Sequence, residues 1–519
     1  MSSSVEIEIR FAVPSAARKA LLVELTRVPT QVRRVSLAAM YLDTPDRRLA
    51  DKGIAWRLRR EGRRWVQTLK ADGPNALERF EHEVARPGAT PDASLHAGTP
   101  AGDRLLKLLK VAETDELPVG VCYRTEVRRV LRRVRTRGAV VELAYDEGRL
   151  LAGDPAREPA VRRICELEFE LVSGSPVAML AMAERWRKRF GLLLEPRSKA
   201  ERGDRLASGL PFPALRKAAD PDYPRDASVD EAFDAVLDEC LDQILRNTVG
   251  LIDGDPALRV DHVHQLRVGI RRLRSGLRSF RNWVEPPPEA LVDELRALFA
   301  ILGQSRDAEI VDGDVAQAIA AAGSPPRADG ELAEVPDPVA AVTAPAAQQL
   351  LLAWLSWRFG RVRAEPVVYS RDRAEPTVPS LVQAEPALRS RNLPERAARR
   401  LGNWHRAIVA EVRSFDRLDD LRLHTLRKRI KRQRYASGFF APLLRRGTLS
   451  RYLKELARAQ DRMGELNDLL VARDRNQARV DEDPGAWFAL GWLAARIEVV
   501  KGRAGSALRK LARTEPPRA

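Results

Sequence analysis

The chain's 519 residues are 44% hydrophobic, ample for buried cores spread over about two to four domains, which excludes a disordered protein. Its 89 Lys and Arg outnumber 72 Asp and Glu, and the net charge of +17 points to a polyanionic partner: nucleic acid, a membrane surface or polyphosphate. Three scattered cysteines, Cys122, Cys165 and Cys240, fit neither a disulfide framework nor a metal site, and with no apolar signal segment or membrane-length run the chain reads as cytoplasmic.

The first predicted element is a strand over 5–11. Glu6, Glu8 and Arg10 alternate there with Val5, Ile7, Ile9 and Phe11, so the charges all project from one face. One charged strand face is ordinarily a solvated one, but the device recurs. Arg57 and Arg59 alternate with Trp56 and Leu58, Arg79 shares a parity with Glu81 and Glu83, and Glu166, Glu168 and Glu170 alternate with Cys165, Leu167, Phe169 and Leu171. Further strands are predicted over 36–42, 54–60, 63–70, 79–86, 121–132, 139–145 and 163–172, about eight in all. Helical patterns are few among them, at 14–27 and 175–190, which favours an antiparallel barrel or curled sheet over alternating strand and helix. Residues 1–208 are read as one domain, and Pro211, Pro213, Pro221 and Pro224 mark 209–227 as a linker.

Beyond the linker the apolar period becomes 3.6, and 228–515 reads as all-α. A repeat lies inside it. His264-Gln-Leu-Arg267-Val-Gly-Ile-Arg271-Arg272-Leu-Arg274 returns 160 residues later as His424-Thr-Leu-Arg427-Lys-Arg-Ile-Lys431-Arg432-Gln-Arg434, with Phe280 and Phe440 in the same register. Leu302-Gly303-Gln-Ser-Arg306-Asp307 likewise matches Met463-Gly464-Glu-Leu-Asn467-Asp468. Half-repeats over about 228–319 and 390–515 make a duplicated helical bundle, and 320–346, rich in Ala, Pro and Gly, is expected to be a flexible insert.

On a helix, His264, Arg267, Arg271, Arg274 and Arg278 form one stripe beside the apolar Leu266, Ile270, Leu273 and Leu277; His424, Arg427, Lys431 and Arg434 repeat it, and Arg272 and Arg432 adjoin it. Like charges four residues apart cost a helix roughly a few tenths of a kcal/mol per pair, so anions must answer the stack, whether acidic side chains of neighbouring helices or a bound polyanion. A one-signed stripe occurring twice favours the polyanion. No base-reading aromatic sheet, helix-turn-helix or zinc pattern is present, which disfavours specific nucleic-acid recognition and suits a phosphate polymer without bases. In the N-terminal half, carboxylates beside cations suit Mg²⁺ or Mn²⁺, which prefer oxygen ligands and share their shell with substrate phosphates, while Arg and Lys hold the remaining phosphate oxygens. There is no Gly-rich nucleotide loop and no Ser–His or Cys–His arrangement, so any hydrolysis would use water rather than a covalent intermediate.

Glu6-Ile-Glu8-Ile-Arg10 resembles the Glu-x-Glu-x-Lys signature of the CYTH family, which includes class IV adenylate cyclases and thiamine and inorganic triphosphatases. The likeness continues in order through Tyr41-Leu-Asp43-Thr44, Gly53-Ile-Ala-Trp-Arg57-Leu-Arg59, Lys70, Arg79-Phe-Glu81-His-Glu83, Glu142 with Asp146, Glu166-Leu-Glu168-Phe-Glu170 and Ser198-Lys199-Ala-Glu201-Arg-Gly203, nearly all of 1–205. The resemblance implies a triphosphate tunnel, a closed eight-stranded antiparallel barrel with its charged faces inward. By position it implies that Arg57, Arg59, Lys70, Arg124 and Lys199 hold phosphates. It implies that Glu6, Glu8, Glu142, Glu168 and Glu170 bind one or two divalent metal ions, and that Glu6, Glu8, Arg10 and Lys70 serve the chemistry. Arg10 stands where the signature has lysine; it keeps the charge but does not readily release a proton, which bears on turnover more than on binding. Over roughly 228–515 the chain resembles the CHAD domain, an α-helical domain named for its histidines, through His264 to Arg274 and Gly303 to Asp307. That resemblance implies inorganic polyphosphate binding and association with polyphosphate granules.

The expectation is an α+β chain, an eight-stranded antiparallel β-barrel followed by an all-α bundle with internal duplication. It binds polyphosphate along the basic helical surface and, with Mg²⁺ or Mn²⁺, binds and hydrolyses tripolyphosphate in the barrel. Two rivals come from other classes: a non-catalytic granule-associated binding protein, and a nucleotidyl (adenylate) cyclase-like enzyme.

Overall fold

A computed structural model describes residues 4–519 except 74, 76, 113–114, 117–118, 154–157, 313, 326–335, 362–391, 482 and 484; for 4, 110–112, 115–116, 305–312 and 314 it describes the helix or strand alone. Eight strands, β1 (Ser4–Ala12), β2 (Val32–Asp43), β3 (Ile54–Glu61), β4 (Arg64–Asp72), β5 (Glu78–Arg86), β6 (Gly120–Thr136), β7 (Ala139–Ala152) and β8 (Ala160–Gly174), form one antiparallel sheet ordered β8-β7-β6-β2-β3-β4-β5-β1. The sheet closes on itself because β1 pairs at both sides. Its first residues face Glu81 to Glu78 of β5, and Glu8 to Ala12 face Glu170 to Glu166 of β8. Closure removes sheet edges and encloses a lumen. Tight connections set the register: β6 and β7 meet over Arg137-Gly138, where Gly138 has φ +98°, a conformation that other L-residues adopt only at a cost.

The alternation of β1 decides which face turns inward. Ile7, Ile9 and Phe11 point out of the barrel and pack with Leu21 and Leu25 of α1 (Arg18–Leu25) and with Met179, Leu180 and Ala183 of α2 (Pro176–Phe190). That apolar cluster continues through Phe233, Leu237 and Leu241 into the second half, so barrel and bundle share a core and the charged faces are left for the lumen. Among the described residues of the barrel half, three α-helices fall outside the predicted elements: the single turn Arg48–Asp51, Pro100–Leu109, and α3 (Lys199–Ala207), which Ser198 caps. Residues 209–227 contain neither helix nor strand.

The second half is built from α4 (Val229–Asp253), α5 (Arg259–Ser279), α6 (Glu289–Asp312), α7 (Pro345–Gly360), α8 (Leu393–Val412), α9 (Asp420–Phe439), α10 (Arg446–Gln477) and α11 (Gly485–Ala512), with short helices between α6 and α7. The two sequence copies occupy α5 and α9, which pack on each other. Phe280 and Phe440, one repeat apart, meet with ring centroids 5.2 Å apart, and Trp283 closes on Phe440 at 5.9 Å. The expected flexible insert needs correction. Within it Pro338–Thr343 is helical, capped by Asp337, and α7 begins at Pro345, because its alanines favour helix; 326–335 lie outside the described residues. Among the described residues no helix is long and apolar enough to cross a membrane.

Candidate functional site

Each barrel strand turns one row of side chains into the lumen. A cavity of about 210 Å³ there is lined by Glu6, Glu8, Arg10, Arg57, Arg59, Lys70, Arg79, Arg129, Glu142, Glu168, Glu170 and Lys199, with Tyr41 and Ser198 among its neutral neighbours. Cations and carboxylates interleave. Lys70 Nζ lies 2.6 Å from Glu6 and 3.3 Å from Glu81; Arg59 lies 2.5 Å from Glu61 and 3.3 Å from Glu83. Arg57 is 3.9 Å from both Glu81 and Glu83. Arg10, only 7% exposed, donates to Glu8 at 2.5 Å and to the Pro196 carbonyl at 2.9 Å.

At one part of the wall three buried carboxylates, Asp146, Glu166 and Glu168, bring oxygens within 4.8 Å of one another. Arg129 donates twice to Asp146 at 2.6 Å and once to Glu168 at 2.7 Å. Lys199 Nζ stands 2.6 Å from Asp146 and 2.8 Å from Glu168 and also meets Glu166, which Arg202 engages from its other side. An all-oxygen trio of this size fits a hard divalent cation, and it holds no nitrogen or sulfur donor that would select a softer one.

Burial and charge oppose each other across the lumen. Burial would raise the Glu168 carboxyl, but Lys199, Arg129 and Arg10 outweigh it and hold the group well below the usual carboxylate range. Burial would likewise lower Lys70 and Lys199, yet their carboxylate partners hold both ammonium groups above their ordinary value. Glu6 goes the other way: burial raises it, Lys70 pulls it down, and Glu81 adds to the rise. The lumen therefore keeps most of its charges in ionised pairs, poised for exchange with an anion and a cation.

The predicted residues are largely brought together. Arg57, Arg59, Lys70 and Lys199 line the cavity, as do Glu6, Glu8, Arg10, Glu142, Glu168 and Glu170, with Glu142 lying 3.3 Å from exposed Arg133. Arg124 is the exception and is corrected: it shares its strand parity with exposed Glu126 and Arg128 on the outer side of β6, and Arg129 faces the lumen instead. Arg79, Arg129, Asp146 and Glu166 are the functional candidates that the sequence reading left without a role. Asp146 shares a parity with Glu142 and Glu166 with Glu168, so their direction was readable, but not their depth along the lumen.

On the helical half, α5 and α9 bring the two basic stripes side by side. Burial, followed by Arg427, Arg271 and Arg267, pushes Lys431 down to about 7 in spite of Asp468, so these four cations share one field. The guanidinium carbons of Arg267, Arg271 and Arg274 stand 5.0, 5.9 and 5.8 Å from the Phe299 ring centroid on α6, a cation–π platform for three stacked cations. Burial and then Arg278 lower Arg432 to about 10, and Arg432 lies over Trp404 at 5.7 Å. His424 meets the Asn467 side chain at 3.2 Å, while His264 and Arg434 are half-buried on their helices. Arg272 is a second correction. One step round the helix from Arg271, it is buried against α4, 2.7 Å from Gln243 and 3.2 Å from Glu239, and serves packing rather than the basic surface. The side chains of Arg306 and Asp307 lie outside the described residues.

Comparison with known proteins follows the same division. Residues 4–203 match the family model of the CYTH domain and residues 235–477 that of the CHAD domain. An inorganic triphosphatase of Haemophilus influenzae is 27% identical over 175 residues, 33% of this chain and 46% of that protein. An uncharacterized protein of Mycobacterium tuberculosis is 27% identical over 328 residues, 59% of this chain and 58% of that protein. The chain thus spans about half the length of the curated relatives it matches. Among solved structures, the CHAD domain from the plant Ricinus communis is 26% identical and covers 59% of this chain and 99% of its own, with a TM-score of 0.44.

Proposed function

This chain is a two-domain CYTH–CHAD protein, and from that premise we propose that its barrel binds tripolyphosphate with Mg²⁺ or Mn²⁺ and hydrolyses it, while its helical half binds inorganic polyphosphate. The observation that carries the barrel reading is one lumen walled by Arg57, Arg59, Lys70, Arg129 and Lys199 and, between them, by buried carboxylates. Phosphates need the first set and a divalent ion the second. Asp146, Glu166 and Glu168 would hold the ion, with Glu6, Glu8, Glu142 and Glu170 the further carboxylates within the same lumen. When bound, such an ion supplies charge neutralisation on the phosphate oxygens. The chain's own cations do the rest: Arg57, Arg59 and Lys70 hold the anion along the lumen, and Lys199 and Arg129 turn from their carboxylates to the phosphates. A polyphosphate granule is the destination that such a pair of sites suits.

The test is phosphate release from tripolyphosphate by the full chain with Mg²⁺ and with Mn²⁺. Release with either metal is expected; absence of both release and calorimetric binding overturns the barrel reading, and binding without release leaves a non-catalytic module. With ATP, product analysis separates phosphate release from cyclic nucleotide.

Arg10 gives a finer prediction. Its guanidinium holds its proton at every working pH, so Arg10→Lys is expected to raise kcat by about threefold to tenfold above pH 8 and to leave tripolyphosphate affinity within about twofold. An unchanged pH–rate profile would show that Arg10 does not limit turnover.

Lys431 gives a pH dependence of known sign. With its ammonium pushed down to about 7, the free protein loses this charge as pH rises through neutrality, whereas bound polyanion favours the charged form. Affinity for long-chain polyphosphate is therefore expected to fall between pH 6.5 and 8.5, with proton uptake on binding. Lys431→Arg is expected to flatten that dependence; a dependence that survives the substitution assigns the titration elsewhere.

A further inference from the structure

The segment that carries Lys199 into the lumen is held from the helical half on both flanks of that lysine, and further back the Leu194 N–H donates to Gln348 of α7 at 2.9 Å. Leu193 and Leu194 pair with β1, and Glu195 donates its backbone N–H to the Arg10 carbonyl at 2.9 Å. The chain then turns into α3, whose cap Ser198 accepts from the Glu201 backbone N–H at 3.0 Å. Two residues before Lys199, Arg197 grips Glu195 with two bonds at 2.8 and 2.6 Å and reaches Asp253 at 2.7 Å. Two residues after it, Glu201 accepts from Arg246 at 2.6 Å, and Asp242 steadies Arg246 with another 2.6 Å bond. Arg246 and Asp253 are seven residues apart, two turns of α4, and so lie on one face of that helix. The bundle thus pins both flanks of the tunnel lysine with one ridge.

The geometry points to Arg246 and Asp253 as positioning residues for the barrel: through Glu201 and Arg197 they fix the start of α3, and with it Lys199, so that the helical half sets how well the tunnel receives a triphosphate. This rests on the reading of Lys199 as a phosphate-holding residue. A lysine's flexible stem places its charge only as well as its backbone is placed, and a displacement of about 1 Å at a reacting site can cost up to about 10²-fold. Neither Arg246 nor Asp253 touches the trio of carboxylates; Arg246 acts through Glu201 and the turn, while Asp253 acts through Arg197 and also meets Arg162 of β8.

The experiment uses the full chain, with tripolyphosphate affinity measured by calorimetry in Mn²⁺ beside kcat/KM for phosphate release. Arg246→Gln, Glu201→Gln and Asp253→Asn are each expected to weaken tripolyphosphate binding by about tenfold with circular dichroism unchanged. In a Lys199→Ala background the same substitutions are expected to add less than about twofold, because the residue they position is gone. Full, additive losses in that background overturn the proposal and leave a purely structural contact. Should Arg246→Gln not fold, Glu201→Gln breaks the same bond from the barrel side. Unchanged affinity in Lys199→Ala alone would instead overturn the phosphate-holding role, a result distinct from loss of the clamp.

Discussion

Glu168→Gln is expected to cut phosphate release from tripolyphosphate by about 10²–10³-fold while the barrel stays folded. Glu168 is the carboxylate on which the lumen's ion pairs converge: Lys199 and Arg129 both bind it, and Arg10 adds to the field that keeps it ionised. Glutamine keeps its shape and one acceptor but removes the charge a divalent ion requires. Asp146 and Glu166 remain to answer Lys199 and Arg129, so no buried cation is abandoned and the fold is preserved. The Mn²⁺ concentration for half-maximal rate is expected to rise in parallel. Metal-free tripolyphosphate binding is expected to tighten, since one competing anion has gone. A loss of activity with the metal requirement unchanged would place Glu168 outside the metal site.

The opposite signs of those last two effects follow from how the lumen is charged at rest. Its cations are already paired with its carboxylates, so an anion entering alone must strip Lys70 from Glu6 or Lys199 from Glu168 and leave a buried carboxylate unanswered. An anion entering with a divalent ion allows both sets of partners to be exchanged at once. On the proposed function, binding as well as turnover is therefore expected to depend on the metal, which calorimetry with and without Mn²⁺ checks.

Much of this was legible in the sequence, and the limits have physical causes. Strand alternation reports direction with a period of two, which is why Glu6, Glu8, Arg57, Arg59 and Glu168 could be assigned to one interior before closure was seen. It carries no information on depth, so Asp146 and Glu166 could not be told apart from Glu142 and Glu170 as the clustered set. On β6 the inward row of Thr125, Val127, Arg129 and Leu131 is mostly uncharged, and the resemblance placed Arg124 by its strand alone, without its face. The same limit holds on the helices. A stripe spaced three and four residues apart was readable, but Arg272 lies one step round and its direction depends on α4, whose Glu239 and Gln243 receive it. The contacts of Arg246 and Asp253 with the tunnel segment are long-range and leave no periodic trace.

Replacing Arg267, Arg271, Arg427 and Lys431 together by Glu is expected to weaken long-chain polyphosphate binding by about 10³-fold or more and to flatten its salt dependence by about three to four units of slope, by analogy with counterion release from nucleic acids. Survival of tight binding would move the site off this surface. Charge reversal alone does not distinguish a binding surface from a set of ion pairs between helices, because it damages both. Lys431→Met does. Its ammonium is pushed down to about 7 by burial and then by Arg427, Arg271 and Arg267, so at neutral pH and below its protonation costs the folded state. Removing it is expected to raise Tm while lowering polyphosphate affinity. Were Asp468 and its neighbours to outweigh burial and the adjacent cations at Lys431, the same change would lower Tm, since a paired cation stabilises what holds it. A rise in stability with a fall in affinity is the signature of a buried ammonium that costs its own fold and serves an outside anion.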